Sequence, residues 1–110
     1  MQADDPPRPY KISPDFNSRG LHWLRHEGRG YKNAFIREWL PDIARLAGVL
    51  PRPKFRRLVG YPYGYWSYRP KGDHGIRVIF HSNQDDKVIR VLLVGHVSRV
   101  FEDFDRMMGR

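Results

Sequence analysis

The chain has 110 residues with 20 Lys and Arg against 12 Asp and Glu, a formal charge of +8, and no cysteine. That length supports one domain around one core, and the missing cysteine excludes disulfides, thiolate zinc sites and a cysteine nucleophile. The basic surplus favours polyanions such as nucleic acid, an anionic membrane surface or an acidic protein, while no apolar run approaches the ~20 residues of a membrane span.

The opening MQADDPPRP lacks the hydrophobic segment of a signal peptide, so a soluble, cytoplasmic protein is expected. Its two acids and three prolines read as a disordered leader over residues 1–9, ahead of a single domain over residues 10–110. Tyr10 to Ile12 reads as a short strand closed by the Ser13-Pro14 turn signal. From Ser18 to Glu27 the apolar Leu21, Trp23 and Leu24 predict a short helix or irregular turn, ended by Gly28 and Gly30.

Tyr31 to Leu50 is the clearest helical stretch, with Phe35, Leu40, Ile43, Leu46 and Leu50 as an apolar stripe. Pro41 lacks a backbone donor and clashes with the preceding turn, which predicts a kink or two short helices, with Pro41 near the start of the second. Pro51 and Pro53 bar continuation and lead into a window with Arg52, Lys54, Arg56, Arg57, Arg69 and Lys71 and no carboxylate. Such a window repels itself unless a negative ligand or distant acids compensate it, which makes it a candidate phosphate-binding surface.

Leu58 to Phe101 reads as an antiparallel meander. Strands are predicted over Tyr65–Arg69, Gly75–Ser82 and Lys87–Gly95, with hairpins at Pro70–Asp73 and Asn83–Asp86. Successive strand side chains point to opposite sides, so Ile76, Val78 and Phe80 share one face while Arg77, Ile79 and His81 share the other. In the apolar Val88–Val94 run, the same alternation puts Ile89, Val91 and Leu93 together. Beyond Gly95 a short edge segment is expected to give way to a final helix from about Glu102, with Phe104, Met107 and Met108 at helical spacing. Helices, an antiparallel sheet and a short C-terminal helix add up to an α+β fold.

The order of these elements, with Leu58 and Gly60, Tyr65-Trp66-Ser67-Tyr68-Arg69, Gly75-Ile76-Arg77-Val78-Ile79-Phe80 and Val91-Leu92-Leu93-Val94-Gly95-His96, resembles the RelE/ParE superfamily. These are toxins of bacterial toxin-antitoxin pairs. The tyrosine and tryptophan segment looks especially like YoeB-type members, and Val94-Gly95-His96 like the wider RelE group. The resemblance implies N-terminal helices packed on a small antiparallel sheet, and a cognate antitoxin as partner. For the ribonuclease branch it implies cleavage of mRNA on the ribosome without metal or cofactor, the ribose 2′-hydroxyl attacking the adjacent phosphate.

That reaction needs cations on the developing phosphorane and groups that move protons. Arg77 falls at the superfamily's strand arginine and suits the first role, since a guanidinium fork meets two phosphate oxygens and stays charged. His96, where relatives carry Lys or His after the glycine, is the first candidate acid or base, and His81 the second. Many active relatives carry a basic pair after that glycine and a tyrosine several residues on, whereas this chain has Val97 and Phe101. Phe101 can stack on a base but cannot move a proton, and Arg99 is the candidate replacement for the lost cation. Lys54, Arg56, Arg57, Arg69 and Lys71 are the candidate RNA contacts.

Other readings stay open. The missing tyrosine leaves room for a ParE-like inhibitor of DNA gyrase, or for a catalytically inactive binding module of the same fold. His22 and His26, four apart, have a zinc-chelating spacing, but no third ligand is evident in the sequence.

Overall fold

The computed structural model describes residues 9–16, 18–72 and 75–109. Expectations for residues 1–8, and for Asp73 in the Pro70–Asp73 hairpin, lie outside the described residues. Five strands form one sheet in the order β1-β5-β4-β3-β2, where β1 is Lys11–Ile12, β2 Phe55–Arg57, β3 Tyr65–Tyr68, β4 Ile76–Asn83 and β5 Val88–His96. The four later strands are antiparallel to their neighbours, as expected, but β1 runs parallel to β5, so the sheet is mixed. A parallel neighbour needs a long connection, and here the helices and three strands lie between the paired segments.

The helices begin with the single turn α1 (His22–Arg25). After a 3₁₀ turn at Arg29–Tyr31, the chain stays helical through α2 (Lys32–Ala34), a π-helical turn (Phe35–Trp39) and α3 (Leu40–Leu46). Pro41 thus stands near the start of the second of two short helices, as expected, although a π-helical turn rather than a break joins them. The widened turn lies immediately before α3, which carries the proline in its first turn, where a missing N–H costs least. The helix also ends at Leu46 rather than Leu50. There the Leu50 amide, at φ 52°, bonds back to the Leu46 carbonyl at 2.7 Å.

The main core lies between these helices and one sheet face. Leu24, Phe35, Trp39, Ile43 and Ala47 meet Phe55, Tyr68, Val78, Phe80, Ile89, Val91 and Val94 there. Phe55 meets Phe80 edge-on with ring centres 6.0 Å apart.

The second face carries a smaller core under α4 (Val97–Met107), where Val100 and Phe104 pack on Ile79 and Leu93. Leu93 is therefore on the face opposite Ile89 and Val91, against the simple alternation. The register explains it: Ile79 pairs with Leu93 but Phe80 pairs with Val91, so Leu92 is an extra residue that flips the strand's parity.

α4 starts at Val97, directly after β5, which removes the expected edge segment and the start near Glu102. His96 caps it: its Nδ1 accepts the Ser98 amide at 3.2 Å, while the Val97 amide donates to the Gly75 carbonyl at 2.6 Å. Gly75 has φ 73°, and a Cβ there would sit 2.7 Å from His96 Nε2, so the junction requires glycine.

Candidate functional site: a cationic cleft beside the last helix

Strand register decides which cations meet. Arg56 pairs with Ser67, and Ser67 with Ile79. Arg69 stands two residues beyond Ser67, and Arg77 two residues before Ile79, so all three arginines project to the second face. Lys54 is two residues before Arg56, and its carbonyl accepts the Arg69 amide at 2.8 Å.

α4 covers Ile79 and Leu93 but not this end of the sheet. What remains is a cleft of about 110 Å³ lined by Lys54, Arg56, Arg69 and Arg77, with Ser67 on its floor and Val97 and Phe101 as one wall. Waters occupy about 30 Å³ each in the liquid, so the space suits a phosphate group rather than a whole nucleotide. Three guanidiniums around so small a space create a strongly positive potential, and their planar forks suit phosphate oxygens. Phe101 is 36% exposed, so its ring offers a stacking surface at the rim.

Arg77 is half-buried and also donates from Nη1 to the Ile76 carbonyl at 2.8 Å, which orients the guanidinium along the strand. Lys54 is fixed from the other side of the sheet. Asp42 on α3 accepts from Lys54 Nζ at 2.9 Å, from the Tyr68 hydroxyl at 2.7 Å and from Arg45 Nη2 at 2.7 Å. Burial alone would raise the Asp42 carboxyl, but the bonds from Lys54, Tyr68 and Arg45 outweigh it and hold the group below its ordinary value. Burial, then the Asp42 hydrogen bond and charge, push the Tyr68 hydroxyl upward.

The remaining sequence candidates lie elsewhere. Arg57 points to the opposite face from Arg56, with its guanidinium carbon 6.0 Å from the exposed Tyr63 ring centre. Lys71 lines an open hollow with Glu38, Asp42 and Arg45. His81 lies under Tyr65, ring centres 5.0 Å apart; burial, and then the Arg90 charge, lower its basicity.

His96 and Arg99 line a separate cleft on the far flank of α4, with His22 and His26. The structure thus brings Arg77 together with Lys54, Arg56, Arg69 and Phe101, and places His96, Arg99 and His81 outside that group. Sequence reasoning missed Ser67 and Asp42. Strand parity with Arg69 points to Ser67, whereas Asp42 shows only as one polar residue on a helical stripe.

Among the described residues no group of three or more His, Asp or Glu is arranged to hold a metal ion, so His22 and His26 remain a pair with ring centres 4.2 Å apart. No described helix is long and apolar enough to cross a membrane.

No family model matches the sequence, and no curated protein matches it. Among solved structures, the fold is similar to that of a chain in the RelBE2 toxin-antitoxin complex of Mycobacterium tuberculosis, with a TM-score of 0.55 and 21% identity. The alignment covers 80% of this chain and 98% of that one. At that identity the likeness is one of architecture: the α+β, RelE-like fold expected from the order of elements is the fold found.

Proposed function

We propose that this protein is the toxin of a toxin-antitoxin pair and that it inhibits translation by binding mRNA on the ribosome and cutting it. The observation that carries this reading is the convergence of Arg56, Arg69 and Arg77, with Lys54, on one phosphate-sized cleft walled by Phe101. The fold shared with a chain of a toxin-antitoxin complex supports the toxin role and an antitoxin partner.

In the proposed reaction the ribose 2′-oxygen forms a bond to the adjacent phosphorus and the bond to the 5′-oxygen breaks. The 2′-proton is lost as the leaving oxygen gains one, and no metal or cofactor takes part. Arg77, assisted by Arg56 and Arg69, neutralises charge growing on the phosphoryl oxygens. Phe101 stacks on a neighbouring base and holds the strand in register.

One observation favours a second reading, an RNA-binding toxin that blocks without cutting. Among the described residues lining the cleft there is no histidine and no carboxylate to move those protons, and His96 is engaged in capping α4. Purified protein added to a translating extract, with mRNA 5′ ends mapped, separates the two. Site-specific cuts that vanish in Arg77→Ala support cleavage. Arrested translation with intact mRNA supports the blocker. Undiminished cutting by a folded Arg77→Ala variant would falsify the role given to Arg77.

A further inference from the structure

The first turn of α4 has a cleft on each flank. On the side away from the arginine cleft, α1, the end of β5 and α4 enclose about 540 Å³. This space is larger than the arginine cleft, and the proposed reaction does not use it. Its shape depends on Gly20, whose carbonyl accepts the Val94 amide at 3.0 Å. A Cβ on Gly20 would lie 1.7 Å from the Leu92 carbonyl oxygen, so only glycine lets the α1 segment approach β5 this closely.

The lining is rich in groups that recognise anions. Arg19 precedes α1, His22 and His26 stand on and after it, and His96 and Arg99 come from the junction of β5 with α4. The described carboxylates facing them are Glu27 and Asp103, and Asp103 accepts from Arg106 Nη1 at 3.2 Å. Asp103 is already paired with Arg106, so Arg19 and Arg99 outweigh Glu27 in the cleft, and the ring N–H groups of His22 and His26, with ring centres 4.2 Å apart, add hydrogen-bond donors for an anion.

We infer that this cleft holds the phosphodiester backbone of the same RNA strand after it leaves the arginine cleft and crosses the first turn of α4. The inference rests on the RNA reading above and extends it. Val97 and Phe101 line the arginine cleft while Ser98 and Arg99 line the histidine cleft, so one helical turn, about 10–12 Å across with its side chains, is all that separates them. A short strand fills the arginine cleft alone; a longer one reaches both. Arg19 and Arg99 supply the charge, and His22 and His26 supply ring N–H donors.

The test uses the full chain and two fluorescent, uncleavable 2′-O-methyl RNA single strands of about 4 and about 12 nucleotides, bracketing common single-strand site sizes. Anisotropy titrations are run at constant ionic strength. The wild type is expected to bind the longer strand on the order of tenfold tighter. Arg99→Ala and His22→Ala/His26→Ala should each cut that length-dependent gain, and both variants should bind the short strand as the wild type does.

Arg77→Ala should weaken both strands. Equal wild-type affinity for the two strands, or a length gain that survives both histidine-cleft variants, overturns the inference and leaves the arginine cleft standing. If neither strand binds, the RNA reading fails and the inference fails with it. Far-ultraviolet circular dichroism on each variant establishes that it is folded.

Discussion

The two faces of the sheet receive opposite treatment. One is closed along its length by α2, α3 and the π-helical turn between them, with Phe35, Trp39 and Ile43 set against Phe55, Tyr68 and Phe80. The other is closed only where Val100 and Phe104 of α4 reach Ile79 and Leu93; where that cover stops, Arg56, Arg69 and Arg77 stand at the surface. The same strand β4 serves both, with Phe80 on the closed side and Arg77 on the open one. Stability is concentrated on the first face and the candidate chemistry on the second, so substitutions should separate them.

The largest effect is expected from Phe80→Ala. Phe80 is fully buried and packs edge-on against Phe55, so the loss of contacts and the cavity left behind should cost about 3–5 kcal/mol, enough to unfold much of the population. Urea denaturation measures it. A cost below about 1 kcal/mol would mean that the helical face is not the main source of stability. Phe104→Ala should cost about 3 kcal/mol, the lower end of the range, because the partly buried Met107 and Met108 beside it are flexible enough to settle into the space.

The contrast between the faces was partly legible in the sequence. The alternation of Ile76, Val78 and Phe80 against Arg77 and His81 fixes β4 correctly, because one slip of register would move every apolar side chain into water. The flip of Leu93 was not legible: Val88–Val94 is apolar at nearly every position, so no pattern marks Leu92 as the bulge. The start of α4 was hidden because its cap is an imidazole nitrogen, not the usual serine, threonine, aspartate or asparagine oxygen, and it follows a strand-like Val94-Gly95.

For the site, the basic window between Pro51 and Gly72 located three of the cleft's four cations, but charge alone cannot say which of them meet. Arg56 and Arg57 are neighbours in sequence and sit on opposite faces. Arg77 and His96, expected in one mechanism, line separate clefts for the same reason that the start of α4 was misplaced. Once the helix begins at Val97, it stands between the two clefts.

Asp42→Asn connects the faces, since Lys54 lines the arginine cleft while its Nζ is bonded to Asp42 on the helical side. It should cost about 1–3 kcal/mol, because the Lys54, Tyr68 and Arg45 donors lose a charged acceptor. Its pH dependence has a definite sign. The folded carboxyl lies below its ordinary value of 3.8, so its contribution is fully present above about that pH and is lost as pH falls through the folded value. Acid titration of stability should therefore be shallower in Asp42→Asn than in the wild type.

Arg77→Ala is expected to leave stability within about 0.5 kcal/mol, since a half-exposed strand arginine contributes little to packing. Binding of single-stranded RNA should nevertheless fall about tenfold, equivalent to about 1.4 kcal/mol. If stability fell and binding did not, Arg77 would belong with the closed face.

The smallest expected effect concerns His81, which lies between the two regimes. It is on the open face but partly covered by Tyr65, and burial and then Arg90 hold its basicity below the ordinary value of 6.5. The folded state therefore takes up its proton later than the unfolded chain does. Stability from this residue is constant above about pH 6.5, declines as pH drops below it, and levels off once the folded imidazole is itself protonated. Replacing His81 with Phe keeps an aromatic ring against Tyr65 and removes the titration. Unfolding midpoints measured from about pH 7.5 down to about pH 5, across histidine's usual range, should then lose part of their slope. An unchanged slope would mean that solvent reaches the imidazole freely, and that α4 and the Tyr61 to Tyr65 segment cover less of this face than their packing on Phe104 indicates.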